Sequence, residues 1–184
     1  MSDLLTDAVL ALQHGGVIAY PTEAVFGLGC DPNNETAIQR ILDLKQRSVE
    51  KGLLLIAAES SQLSPYIAPI DSGLWQKAQQ KWPGPMTWLV PANEQTSRLL
   101  TGSHSTIGVR VTAHPVAKLL CKHFGRPIVS TSANLSGMPA ARSKDEVIQQ
   151  FDGKLESIVD GDVDSLAQPS EIRDLITNQI IRSR

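Results

Sequence analysis

Small polar side chains are concentrated just after a short apolar run in the second half of the sequence. Residues 127–137 read PIVSTSANLSG. The hydroxyl and amide groups in this segment belong to Ser130, Thr131, Ser132, Asn134 and Ser136. Because open α/β sheets bind ligands at strand ends, these groups are suited to phosphate oxygens or a ribose. A turn that satisfies its own backbone has the same composition, so both interpretations stay open.

A second group of residues is cationic. Lys45, Arg47 and Lys51 lie within one stretch of seven residues. Arginine forms paired hydrogen bonds with carboxylates and phosphates, and lysine acts as a point charge, so together they could clamp an anion. Basic residues in the last turn of a helix also complement the helix dipole and require no ligand.

A third segment, AYPTEAVFGLGCD at residues 19–31, begins at the end of a predicted strand. We predict a loop over residues 21–31. Thr22 would then lie at the carboxyl end of the strand, and Gly27 and Gly29 would let a ligand approach the backbone closely. The alternative is a glycine turn that only joins a strand to a helix.

Further polar candidates are scattered along the chain: Thr106, Arg110, Ser170 and Arg182. Arg110 interrupts an apolar strand, where a charge is rarely buried without a partner or an anion. Arg182 lies near the C-terminus, a position typical of a solvated charge.

Several common site motifs are missing from the sequence. There is no P-loop, no GxGxxG fingerprint and no GxSxG elbow. The four histidines have no metal-ligand spacing, so we predict no metal site. The two cysteines, Cys30 and Cys121, are too few for a disulfide framework and are interpreted as reduced thiols.

Alternating strands and helices must position these groups. Strands are predicted at residues 17–20, 53–57, 86–90, 107–112, 127–131, 157–160 and 179–182. Helices are predicted at residues 4–12, 35–45, 74–82 and 143–151, with another beginning near residue 114. Asn33 or Asn34 should cap the second helix, and Ser143 with Glu146 has the spacing of a capping box. The alternation indicates a single α/β domain over residues 1–184, with helices on the faces of a sheet.

The composition is that of an ordinary globular protein. Its 184 residues are 41% hydrophobic and 20% charged, and the formal net charge is −2. This slight acidity argues against a protein that coats itself with nucleic acid, although it allows a local basic groove. No segment approaches about 20 consecutive apolar residues and no signal peptide is recognisable, so we expect a cytoplasmic protein without membrane contact.

Taken in order, five segments resemble the YrdC/TsaC family of threonylcarbamoyl-AMP synthases: PTEAVFGLGCD, KQR with the following Lys51, VRVTAHP, STSANLSG and PSEIRD. The resemblance covers about residues 17–182 and is to the single-domain bacterial form. It implies a twisted mixed sheet that encloses a deep polar groove. It also implies synthesis of threonylcarbamoyl-adenylate from L-threonine, bicarbonate and ATP, with release of pyrophosphate. The product would pass to a separate transferase complex that modifies adenosine 37 of tRNA.

The resemblance also implies roles for individual residues. The K-x-R…S-x-N signature is present, and its residues are the expected catalytic and ATP-binding groups: Lys45, Arg47, Ser132 and Asn134. Further expected contacts to ATP are Lys51, Thr106 and Arg182. The expected threonine pocket consists of Thr22, Arg110, Ser130 and Ser170. Mg²⁺ is expected with ATP, held mainly by the phosphates.

The sequence departs from the family pattern in one segment. Family members commonly read K-x-R-P followed by K-P-L, whereas Ser48 and Gly52 replace the two prolines here. We therefore expect a less rigid loop at this point.

The alternative function is a non-catalytic RNA-binding protein that uses the same basic groove, with tRNA as a candidate ligand. Aromatic residues make up only 4% of the chain, which leaves little material for a base-stacking platform.

Overall fold

The computed structural model describes residues 3–164 and 170–183. Within these ranges the α-helices are α1 Asp3–Gln13, α2 Glu35–Lys45, α3 Ser72–Gln79, α4 Arg98–Thr101, α5 Pro115–Phe124 and α6 Lys144–Phe151. The strands are β1 Ile18–Pro21, β2 Phe26–Gly29, β3 Leu54–Ala57, β4 Met86–Pro91, β5 Thr106–Val111, β6 Ile128–Ser132, β7 Ser157–Ile158, β8 Glu171–Asp174 and β9 Ile180–Arg182. Two 3₁₀ helices cover Val49–Lys51 and Ser60–Tyr66.

All the strands belong to one mixed sheet in the order β7-β1-β2-β6-β3-β5-β4-β8-β9. The pairs β1–β7, β3–β5 and β4–β8 are parallel, and the remaining neighbours are antiparallel. Parallel neighbours need a crossover, and α2 to α5 lie in the connections between the central strands. The predicted α/β class with a mixed sheet and helices is therefore confirmed.

Two helices begin as the capping residues predict. The Asn34 side chain accepts a hydrogen bond from the Ala37 N–H at 3.0 Å. Ser143 Oγ accepts from the Glu146 N–H at 3.2 Å, while the Glu146 carboxylate accepts from the N–H of Arg142. Both caps satisfy backbone donors that have no partner within the helix.

Strand β5 divides its side chains between the core and the site. Ile107, Val109 and Val111 are buried in the core cluster that also contains the apolar stripe of α2. Successive side chains of a strand point to opposite faces, so Thr106, Gly108 and Arg110 face the other side of the sheet. The apolar half of this strand anchors it, and the other half is available for a ligand.

The predicted loop over residues 21–31 is wrong, because residues 26–29 form β2, which pairs antiparallel with β1. The glycines of this hairpin make room for an aromatic ring. A Cβ on Gly29 would lie 2.8 Å from Tyr20 Cε1, and one on Gly27 would lie 3.1 Å from Tyr20 Cζ. Residues 26–29 therefore form a strand despite their two glycines, because both glycines pack against the Tyr20 ring.

Several other elements differ from the sequence predictions, which also did not include α4 or the two 3₁₀ helices. Helix α3 begins at Ser72, capped by Asp71, and ends at Gln79, before the predicted residue 82. Strand β8 was not predicted, because its residues EIRD are mostly polar and lie next to the exposed edge strand β9. None of the helices described is long and apolar enough to cross a membrane.

Candidate functional site

A cavity of about 600 Å³ opens on the face of the sheet that carries Thr106, Gly108 and Arg110. Ten of the predicted site residues line it: Thr22, Arg47, Lys51, Thr106, Arg110, Ser130, Ser132, Asn134, Ser170 and Arg182. They come from chain segments that are far apart in sequence, and the sheet brings them together. Lys45 is the predicted site residue that does not line the cavity.

The floor of the cavity is small and apolar. Gly108 pairs with Leu54 of β3 and Leu89 of β4, and Leu54 pairs with Ser130 of β6. A Cβ at position 108 would meet the end of the Leu54 side chain, which would have to move, so glycine leaves room for this side chain in the floor. Arg110 and Thr106 lie two residues to either side, which separates the two ends of the cavity by roughly 13 Å along the strand.

The end of the cavity formed by Glu23, Arg110, Ser170 and Arg182 is called here the Arg110 end. Arg110 Nη1 lies 3.2 Å from Glu23 Oε2, and both side chains are almost fully buried. Glu23 Oε1 accepts hydrogen bonds from Thr112 Oγ1 at 2.8 Å and from the Ala113 N–H at 3.0 Å. Arg110 Nε and Glu23 Oε2 are buried without a hydrogen-bond partner among the described residues. The two side chains are therefore held together by their opposite charges rather than by a hydrogen bond.

The ionisation of Glu23 reflects these contacts. Burial raises its pKa, but the positive charge of Arg110 and the hydrogen bonds from Thr112 and Ala113 outweigh burial and hold the pKa below its usual value. Glu23 is therefore an ionised, buried carboxylate at neutral pH.

Ser170 links Arg182 to the sheet. The Ser170 and Thr87 hydroxyl oxygens are 2.9 Å apart, and Arg182 Nη2 donates to the Ser170 carbonyl at 2.7 Å. Burial, and then the charge of Arg110, lower the pKa of Arg182. Arg182 is exposed, as expected near the C-terminus, and it also forms part of the cavity wall.

Thr22 and Ser130 complete this region. Thr22 Oγ1 donates to the Val25 carbonyl at 2.6 Å, which closes the turn between β1 and β2. Ser130 is buried on β6, where it pairs with Leu54 of the cavity floor.

The opposite end, called the Lys45 end, comprises Lys45, Arg47, Lys51, Ser132 and Asn134. Lys45 Nζ donates to the Ser132 carbonyl at 2.6 Å, the Asn134 carbonyl at 3.0 Å and Asn134 Oδ1 at 2.9 Å. An ammonium group has three donors, so these bonds use all of them. Burial, and then the charge of Arg47, lower the Lys45 pKa to about 8. Lys45 thus holds the Ser132–Asn134 turn from behind the cavity wall.

The rest of this end surrounds Gly52. Arg47 Nε and Nη2 donate to the Gly52 carbonyl at 3.3 and 3.1 Å, and burial lowers the pKa of Arg47. Gly52 has φ 59° and ψ 179°, whereas proline fixes φ near −65°. A proline could not occupy this conformation.

Sequence reasoning missed Glu23 and Thr87. Glu23 lies inside the PTEAVFGLGCD motif, and its charge opposite to that of Arg110 was the available signal. Nothing in the sequence distinguishes Thr87 from other strand threonines.

Comparison with known proteins agrees with this fold and identifies the family. The model of the Sua5/YciO/YrdC family, described as "Telomere recombination", matches residues 10–184. A Vibrio parahaemolyticus threonylcarbamoyl-AMP synthase is 53% identical over 94% of this chain and 94% of its own length. The Serratia proteamaculans protein of the same name is 52% identical over 97% of this chain and 95% of its own.

A solved structure extends the likeness to three dimensions. Sua5 from P. abyssi, complexed with L-threonine, has 35% identity and a TM-score of 0.87 over 92% of this chain. The chain spans about half the length of that Sua5 protein, 50%. The chain belongs to the Sua5/YciO/YrdC family, which confirms the resemblance found in the sequence.

Proposed function

We propose that this protein condenses L-threonine, bicarbonate and ATP into L-threonylcarbamoyl-adenylate and pyrophosphate. The observation that carries the proposal is a single cavity with cations at both ends and an apolar floor between them. Relatives of about 50% identity bear the name of this activity, and the P. abyssi relative binds L-threonine.

Threonine would occupy the Arg110 end. The Arg110 guanidinium receives its carboxylate, and Thr22, Ser130 and Ser170 supply hydroxyl groups around the amino acid. The side-chain hydroxyl of Thr22 already donates to Val25, so it acts toward a ligand as an acceptor.

The triphosphate of ATP would occupy the Lys45 end. Arg47 and Lys51 neutralise phosphate charge, while Ser132, Asn134 and Thr106 supply polar contacts. Lys45 contributes by fixing the Ser132–Asn134 turn and by its positive charge. Arg182, which was expected to contact ATP, is held at the Arg110 end by the Ser170 carbonyl and contributes its positive charge there.

The reaction joins two anions. The threonine amine and bicarbonate give a carbamate with loss of water, and a carbamate oxygen then attacks the α-phosphorus of ATP. The bond from the α-phosphorus to the bridging oxygen breaks, and pyrophosphate leaves. Because both reactants are negatively charged, the protein's task is to align them and to neutralise charge.

ATP would enter as its Mg²⁺ complex. Glu23 is the acidic residue among the described residues that line the cavity, and it is paired with Arg110. The phosphates therefore hold the metal, in keeping with the small number of protein ligands that Mg²⁺ usually takes. The product then passes to a transferase complex that modifies adenosine 37 of tRNA in the cytoplasm.

The decisive experiment measures pyrophosphate release from ATP with Mg²⁺ and bicarbonate, with and without L-threonine, and identifies the adenylate promptly by mass spectrometry. We expect threonine-dependent pyrophosphate and the threonylcarbamoyl-adenylate mass. An Arg47→Ala variant should lose the signal, and Lys118→Ala, at an exposed lysine of α5, should retain it.

Folded protein without threonine-dependent pyrophosphate would overturn the proposal. It would favour the RNA-binding alternative, which salt-dependent filter binding to tRNA would then test. The names of the relatives support the enzyme and lend nothing to that alternative.

A further inference from the structure

Glu23 is a buried carboxylate with no part in the chemistry described above. It is 2% exposed, lines the cavity and faces the guanidinium that is proposed to receive the substrate carboxylate. A carboxylate beside an anion-binding arginine opposes anion binding unless it serves another purpose. Its surroundings indicate what that purpose is.

The position of Glu23 is fixed by groups that do not reach the cavity. Its Oε1 accepts from Thr112 Oγ1 and from the Ala113 N–H, directly beyond the end of β5. Its Oε2 is thereby directed to Arg110 Nη1 at 3.2 Å. One arm of the guanidinium faces Glu23 while the side chain lines the cavity. The carboxylate therefore constrains the direction in which the guanidinium group is presented to a ligand.

Glu23 also sets the charge of the Arg110 end. Arg110 and Arg182 lie close enough for the charge of one to lower the pKa of the other, and Glu23 is the acidic residue there among the described cavity walls. Two guanidinium groups and one carboxylate leave a net charge of +1, which complements a single carboxylate. Without Glu23 the charge would be +2, which favours a phosphate group.

We propose that Glu23 is a positioning and specificity-determining residue that orients Arg110 and keeps phosphate groups out of the amino-acid end of the cavity. The inference rests on the proposed function. It answers a problem that this function creates, since threonine and ATP are both anionic at their binding groups and share one cavity. Each must be kept out of the other's end.

The test compares Glu23→Gln with Glu23→Asp, using inorganic phosphate as the probe. Glutamine preserves the size of the side chain and removes its charge, whereas aspartate preserves the charge and withdraws it from Arg110. We expect Glu23→Gln to raise the threonine KM about tenfold or more. We also expect phosphate to become a competitive inhibitor against threonine, with a Ki lowered at least about tenfold from wild type. Glu23→Asp should raise the threonine KM without strengthening inhibition by phosphate.

The ATP KM and the melting temperature serve as controls for folding. A wild-type threonine KM and a wild-type phosphate Ki in folded Glu23→Gln would overturn the inference. A raised KM without phosphate competition would refute charge selection. If Glu23→Gln does not fold, a wild-type threonine KM in Glu23→Asp would refute the orienting role.

Failure of the proposed function is a separate outcome. It would appear as wild-type protein without threonine-dependent turnover. Calorimetric titration of phosphate into wild type and Glu23→Gln then still tests the charge argument, since tighter binding by the variant supports it and equal binding refutes it.

Discussion

The two ends of the cavity hold their buried cations in different ways. At the Arg110 end the guanidinium faces the carboxylate of Glu23, so that charge meets charge. At the Lys45 end the ammonium group is surrounded by two backbone carbonyls and an amide oxygen, which satisfy its donors but leave its charge uncancelled. The Lys45 ammonium group is thus fully hydrogen-bonded, whereas the Arg110 guanidinium is paired with an opposite charge.

This difference matches the ligands that we propose. A triphosphate carries several negative charges and gains from Lys45, Arg47 and Lys51 together, whereas an amino acid brings one carboxylate. The pKa values of Lys45 and Glu23 are both lowered, but for opposite reasons. Burial without a counter-charge makes the lysine easier to neutralise, and a buried counter-charge keeps the glutamate ionised.

The largest effect is expected from Arg110→Ala. The substitution removes the proposed carboxylate receptor and leaves Glu23 buried without its partner. We expect the threonine KM to rise well over tenfold, since loss of such a contact costs about 2–5 kcal/mol. The ATP KM should change little. Steady-state kinetics with each substrate varied in turn would measure both.

Arg126→Ala is a suitable control for this variant, because Arg126 is a surface arginine that also pairs with an acidic residue, Asp31. An unchanged threonine KM in Arg110→Ala would remove the assignment of the amino-acid end.

Lys45→Ala tests the other end. The variant leaves the Ser132 and Asn134 oxygens without their donor and removes a positive charge from beneath the triphosphate. Hydrogen bonds from charged groups contribute about 1.5–3 kcal/mol, so kcat/KM for ATP should fall on the order of tenfold to a hundredfold. The threonine KM should change far less. A nearly wild-type kcat/KM for ATP would refute the role, and Lys118→Ala controls for the loss of a lysine.

Gly52→Ala should act on the backbone of the Lys45 end. Gly52 has φ 59° and ψ 179°, and a Cβ there would lie 2.7 Å from the Leu100 carbonyl oxygen. We expect a loss of about 1–3 kcal/mol in the free energy of unfolding. Arg47 should be displaced with its acceptor, the Gly52 carbonyl. Thermal unfolding and the ATP KM would report the two effects.

Gly125→Ala is the matched control, because Gly125 has φ 81° and open space around its Cβ position. It should be destabilised less than Gly52→Ala and should keep its ATP KM. Equal destabilisation of the two variants would show that the contact with Leu100 contributes nothing.

Most residues that line the cavity could be predicted from the sequence, but the residues that they contact could not. Motif order predicted that Arg110, Ser132 and Arg47 would meet, and the α/β alternation predicted the kind of sheet that brings them together. The pairing of Arg110 with Glu23 depends on how β1 and β5 are placed across the sheet, which local patterns do not encode. Two of the three oxygens that accept from Lys45 are backbone carbonyls, whose position the residue type does not reveal.

Strands β2 and β8 were missed for reasons that lie in their own residues. The glycines of residues 26–29 suggested a loop because glycine is rare in strands, but here they face the Tyr20 ring. The polar strand β8 lacks an apolar alternation because it is only half buried next to the edge of the sheet.

Near neutral pH the smallest effect is expected from pH, because Lys45 is only half deprotonated at about pH 8, and it acts on one end only. The pKa of Lys45 is about 8 in the folded protein and 10.5 for the free side chain. Its charge is therefore present below about pH 8 and lost above it, so kcat/KM for ATP should fall up to about tenfold per pH unit above 8. Between the two pKa values the unfolded chain binds a proton that the folded chain does not, so stability should rise with pH over the same range. Lys45→Met should flatten both profiles, whereas the binding of threonine at the Arg110 end, measured by calorimetry, should keep its wild-type pH dependence. If kcat/KM for ATP in Lys45→Met declined with pH as in wild type, another group would be responsible for the titration. The proposed difference between Arg110, which has a counter-charge, and Lys45, which has none, would then have no effect on the reaction.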